Sequence, residues 1–202
     1  MKKTISIITL LFILLGSVTS MAATKSDVKA AKQKAKELKG EGWKTEGATT
    51  IENGMTKIAE MQADGYDLLV GTSYGSQKPN VAKTKARNNA INEFAEYGKS
   101  IVKARIDTKV DDMDETEVDN LVSGYERMAI RELDDLMPIP TLVLRRETSN
   151  GRFDYQCYYL IDSNTLRKAQ KNALDKALEN AGMAAQYAGS ISDFVNEGFN
   201  EK

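Results

Sequence analysis

The 202-residue chain contains no histidine. That absence removes Ser-His-Asp and Cys-His nucleophile systems, imidazole acid–base catalysis, and the zinc or haem sites that depend on imidazole. Cysteine occurs once, at Cys157, so no intramolecular disulfide can form and stability has to come from packing. The three prolines are Pro79, Pro138 and Pro140, which leaves long stretches free of backbone breaks. Charge of one sign is also missing: 28 Lys and Arg balance 29 Asp and Glu. No basic excess marks the chain for nucleic acid, and none is expected as a partner. Long apolar runs are absent except at residues 5–15, which fall short of the ~20 residues a spanning helix needs.

What is present at the N-terminus reads as a secretory signal peptide over residues 1–22. Lys2 and Lys3 precede the apolar run, and Ser20-Met21-Ala22 places small residues at the −3 and −1 positions of a cleavage site. Cleavage after Ala23 is the alternative and puts Met21 at −3. No cysteine lies near either point, so no lipid anchor attaches there. The expected localisation is therefore export, to the periplasm or cell envelope, with no transmembrane segment in the mature chain.

Residues 23–65 read as a helical and extended N-terminal region. Ser26 is the expected cap of a Lys- and Ala-rich helix that Gly40 stops; its stripe of Val28, Ala31, Ala35 and Leu38 is weak, which predicts a surface or frayed helix. Trp43 follows in a short extended piece over 43–45 and is read as an anchor on the main body rather than a recognition residue. Thr49 and Glu52 match a capping box for a second helix ending at Gly65.

The core domain is expected over 66–181, with an amphipathic tail at 182–202. A strand at 66–72 leads into a turn at 73–80 and a helix at 81–106. Ala82, Ala86 and Ala90 give that helix a small-residue stripe that suits close packing on a sheet, and Phe94, Ile101 and Val102 fill its wider end. A second helix spans 115–136, with a seam of Val118, Leu121, Val122, Tyr125, Ala129 and Leu133 able to pack on the first helix or on a copy of itself. Asn150-Gly151 between two strand-like runs predicts a two-residue type I′ hairpin over 141–161. That register sets Leu144 opposite Cys157 and Leu142 opposite Tyr159. It collects Leu142, Leu144, Cys157, Tyr159 and Ile161 on one apolar face and places Arg146 beside Tyr155. A final helix runs over 163–181, and Ile191, Phe194, Val195 and Phe199 of the tail recur at helical spacing. The fold class is α+β: a small antiparallel or mixed sheet packed by long helices.

Two stretches suggest chemistry. Gly71-Thr72-Ser73-Tyr74-Gly75 spells G-x-S-x-G where a strand is expected to turn into a helix, the position of a hydrolase nucleophile. The histidine that would take the serine proton is missing. A lysine base from Lys78, Lys83 or Lys85 would have to lose a proton it holds up to a pKa of ~10.4. No Gly-Lys-Ser/Thr follows, so the turn is not a P-loop. The second stretch holds Asp111, Asp112, Asp114 and Glu115. Counted from Asp112, the sixth and twelfth positions of a calcium loop hold Glu117 and Ser123 in place of glycine and glutamate. The acids are better read as the start of the next helix. No catalytic, cofactor-binding or metal-binding residue is assigned.

The order strand, glycine turn, Ala-rich helix, helix, hairpin, helix resembles the lipoprotein-20 family of bacterial envelope proteins, a fold also seen in the N-terminal domain of a flagellar assembly protein. The residues that carry it are Leu69-Val70-Gly71-Thr72, then Ala82, Ala86-Arg87, Ala90 and Phe94-Ala95, with the hairpin and the helix holding Leu166 completing it. It covers about 66–181. Residues 36–44, ending Glu41-Gly42-Trp43-Lys44, resemble exported proteins of unassigned function from gut-type bacteria. This chain departs from the family in lacking the lipid-bearing cysteine. The resemblance implies no enzymatic chemistry, cofactor or site residue. The lack of a catalytic constellation, beside two long and well-patterned helices, leads to the expectation of a non-enzymatic envelope protein that binds another envelope protein or itself, with a periplasmic serine hydrolase using Ser73 and a lysine base as the alternative.

Overall fold

The computed structural model describes residues 23–109 and 114–183, together with residues 193, 195 and 197–199. The expected signal peptide lies outside the described residues. The element order is α1 (Lys25–Gly40), β1 (Lys44–Thr45), α2 (Ile51–Ala63), β2 (Tyr66–Ser76), α3 (Pro79–Lys109), α4 (Glu115–Leu136), β3 (Leu142–Glu147), β4 (Phe153–Asp162) and α5 (Ser163–Asn180). The fold is α+β, as the patterning implies. All strands are antiparallel in one sheet of order β1-β3-β4-β2.

Helix starts follow local chemistry, with two shifts from the sequence reading. Thr24, not Ser26, caps α1, and its hydroxyl pairs with Asp27 in a capping box. Thr50, not Thr49, caps α2 by accepting from the Asn53 N–H at 3.1 Å, so Glu52 is not the box partner. Both differences have one cause: adjacent hydroxyl or acidic residues compete for one cap, and the packing of the following stripe decides which is used. Asp114 caps α4 with Glu117 closing its box, and Asp162 caps α5 through the Thr165 N–H at 2.8 Å.

The hairpin departs from expectation and reorganises the core. Among the described residues none other than glycine has positive φ, whereas a type I′ turn needs it at Asn150 as well as at Gly151. Instead the Gly151 N–H donates to the Thr148 carbonyl at 3.0 Å, Gly151 takes φ +70°, and the Thr148 N–H donates to Arg152 at 2.8 Å. This is a three-residue loop with a glycine bulge, one residue longer than the two-residue turn. The pairing therefore slides by one: Leu142 faces Tyr158, Leu144 faces Gln156 and Arg146 faces Asp154. A slip of one residue moves every side chain of one strand to the opposite face.

The single apolar hairpin face is thus corrected to two. Leu142 and Leu144 join Tyr158 and Leu160 under α1 and α2, with Trp43, Ile51 and Ile58. Cys157, Tyr159 and Ile161 point the other way, to Leu69, Ala86, Ala90 and Leu166. β4 is buried on both faces over residues 157–161, which explains the unbroken run Cys-Tyr-Tyr-Leu-Ile there. The weak stripe of α1 is seated rather than frayed, with Ala35 and Leu38 buried.

Helix α3 begins over the sheet and runs past it. The Ala86 carbonyl lies 1.7 Å from where a Gly71 Cβ would sit, so the helix backbone rests on the strand. Its far half meets α4 and α5 in a helical core of Val102, Ile106, Leu121, Tyr125, Leu174 and Leu178. Val195 and Phe199 of the tail enter this core, and the Phe199 ring stacks on Tyr125 with centroids 5.9 Å apart. Ile191 and Phe194 lie outside the described residues.

Candidate functional site

The site singled out by sequence is not an elbow. β2 continues through Thr72 and Ser73, which pair with Gln156 and Tyr155, and the register breaks only between Ser73 and Ser76. The expected turn at 73–80 is corrected to this bulge plus a short link to α3. Gly75 takes φ +63° there and its N–H donates to Asp154 Oδ1 at 2.9 Å. Asp154 Oδ2 accepts from the Arg146 guanidinium at 2.8 Å, and Arg146 lies 4.6 Å above the Trp43 ring. The cation–π partner of Arg146 is therefore Trp43, not Tyr155. Trp43 itself is buried and donates to Glu41 at 3.1 Å.

Ser73 sits in mid-strand on the face that α3 covers. Only 4% of it is exposed, and its hydroxyl has no hydrogen-bond partner. Tyr155, directly across the ladder, is fully buried, and no hydrogen bond closes on its hydroxyl. Burial pushes the Tyr155 phenol up, with Glu46 adding to it, while Arg145 and Lys83 pull the other way. Burial likewise raises the Cys157 thiol, which keeps it protonated and unreactive.

None of the three lysines is placed to serve as a base. Lys83 bonds Glu46 Oε1 at 2.5 Å, and this partner raises its pKa further. It stays an ammonium at neutral pH and accepts no proton. Lys78 and Lys85 are exposed. The face beneath the start of α3 thus combines a sealed serine, a sealed tyrosine, a protonated thiol and a closed Lys83–Glu46 pair.

Of the acidic run, Asp111 and Asp112 lie outside the described residues, while Asp114 is the α4 cap and Glu115 opens its first turn. Among the described residues no group of three or more acidic or thiol side chains is placed to hold a metal. The α4 seam is filled within the chain by α3 and α5, and α4 is also tied to α3 by Arg87–Asp134 and by Lys99–Glu126 at 2.5 Å. A groove of about 370 Å³ between α4 and α5 is lined by Met128, Arg131, Asp135 and Glu179 beside a closed Glu132–Lys176 pair.

Sequence reading missed Arg146–Asp154 and Lys83–Glu46. The first follows once the hairpin loop is given its third residue, because the two are then directly opposite. The second joins α3 to the segment after β1 and leaves no local signal. No family model, curated protein or solved structure matches the chain.

Proposed function

We propose that this protein is a non-enzymatic, exported module of the bacterial cell envelope that acts by binding another protein or a copy of itself. The observation that carries the non-enzymatic reading is Ser73: a buried hydroxyl in mid-strand, beneath a helix whose nearby Lys83 is held as a cation by Glu46. The basic, apolar and small-residue order of residues 1–22 supports export. The resemblance to the lipoprotein-20 family supports an envelope role without assigning chemistry. Among the described residues no helix is long and apolar enough to cross a membrane. The seam of α4 over 115–136 packs within the chain against α3 and α5.

A fluorophosphonate probe tests the chemistry. Wild-type protein and the Ser73→Ala variant are expected to remain equally unlabelled. Labelling of wild type that Ser73→Ala abolishes would replace this reading with the hydrolase. Intact mass from a periplasmic extract tests the address: the expected chain begins at Ala23 or Thr24, and a full-length cytoplasmic chain would overturn export.

A further inference from the structure

Charge in this chain is balanced in total but not in place. α1 carries six lysines against two acids, and α4 carries seven acids against two arginines. The two helices lie on opposite faces of the sheet. α1 packs on the face of Leu142 and Leu144, whereas Leu133 of α4 joins Cys157 and Tyr159 on the other. One side of the molecule is therefore basic and the other acidic, a segregation that suits a charged partner.

Five of the six lysines share one line. Lys25, Lys29, Lys32, Lys36 and Lys39 follow the four- and three-residue steps of a helix face, and all are exposed. At ~100° per residue they fall within about 80° of arc and span about 21 Å of helix. The buried line of Ala31, Ala35 and Leu38 lies about a third of a turn away. The acids near the stripe are engaged elsewhere. Asp27 closes the capping box with Thr24, Glu37 pairs with Lys34 at 3.6 Å, and Glu41 accepts from Trp43. Among the described residues the one ion pair that reaches the stripe is Lys32–Glu52, at 3.5 Å between half-exposed side chains.

We infer that this stripe lays α1 along an anionic phospholipid surface, with its ammonium groups among the headgroup phosphates. Three features favour a lipid surface over an acidic protein. The stripe holds no aromatic, arginine or bulky apolar residue, and the anchors of protein interfaces are drawn from those types. Its lysines are flexible point charges, which suit mobile phosphates better than a fixed carboxylate fork. The apolar face of α1 is committed to the core, so the helix rests on the headgroups and does not insert. The acidic α4 then lies on the side away from the membrane. The inference goes beyond protein binding and uses the proposed envelope placement only to bring the chain beside such a surface.

Co-sedimentation of the mature chain with vesicles tests it, whatever the chain's address in the cell. Binding is expected with mixed phosphatidylglycerol and phosphatidylcholine, and not with phosphatidylcholine alone. It should fall away at about 0.5 M salt, because screening then acts within a few ångströms. Each lysine close to an anionic surface contributes about fivefold. The triple variant Lys25→Gln, Lys29→Gln, Lys36→Gln should therefore bind roughly 100-fold more weakly, and glutamine keeps the helix propensity. A control that loses the same charge from other exposed positions, Lys85→Gln, Lys168→Gln, Lys171→Gln, should stay within about threefold of wild type. A wild type that ignores phosphatidylglycerol at low salt overturns the inference. Equal losses in the two triple variants overturn it as well, since net charge and not the stripe would then be at work. Polyglutamate that binds through the stripe where phosphatidylglycerol does not would assign the stripe to an acidic protein and overturn the lipid surface.

Discussion

At the residue scale, Gly71 is where the sheet and α3 are locked together. A methyl group there would lie 1.7 Å from the Ala86 carbonyl, so the helix backbone itself would have to lift. Gly71→Ala should cost about 3 kcal/mol or more, at the upper end of overpacking effects, read as a fall in the urea midpoint. The role of this glycine was legible in part. The alanine stripe of α3 announced a close approach, but G-x-S-x-G suggested a catalytic turn, because a bulge and an elbow both ask for glycines near a serine. Asp162 works by charge and hydrogen bonding. The Thr165 N–H, and then its hydroxyl, hold the Asp162 carboxyl below its ordinary range. A lowered carboxylate pKa gives stability that is present above the unfolded-state value and lost as pH falls through the folded one. Wild type should therefore lose more Tm than Asp162→Asn on acidification below about pH 4, and Asp162→Ala at neutral pH should cost about 1 kcal/mol as a lost helix cap.

At the element scale, the hairpin separates what sequence can and cannot tell. Both strands and the presence of a turn at Asn150-Gly151 were legible, since the alternation and the dipeptide are local signals. Loop length was not, because Asn-Gly serves a two-residue turn and also the end of a three-residue loop. That one residue decided which face Cys157, Leu142 and Arg146 occupy. The two loops differ in their demand on position 150. In the observed loop only Gly151 needs positive φ. Asn150→Ala should leave the urea midpoint almost unchanged, whereas Gly151→Ala should cost about 1 kcal/mol. Equal losses at the two positions would argue for the shorter turn. Helix α4 was legible to the residue because Asp114, Glu117 and a regular seam all agree.

At the scale of the whole molecule, the covering of the helical core was only partly legible. The spacing of Val195 and Phe199 marked an amphipathic tail, but nothing local said where it docks. Phe199 is 3% exposed against Tyr125, and Gly198 sits beside Ile101 and Arg105. Phe199→Ala should cost about 3 kcal/mol by loss of a buried ring, and a chain ending at Met183 should melt at a lower temperature still. The long-range contacts were the least legible feature, because pairing between β2 and β4 depends on residues far apart in the chain. That same pairing has a consequence in time. β4 is the strand that joins β2 to the rest of the sheet, with β3 on one side and β2 on the other. As the chain emerges from the ribosome, α1, α2, β2 and α3 all appear before their partner strand exists. Closing so large a loop delays folding, and the first half has no sheet to pack on until residue 162 is free. A chain ordered in this way stays threadable until its last strand has been made.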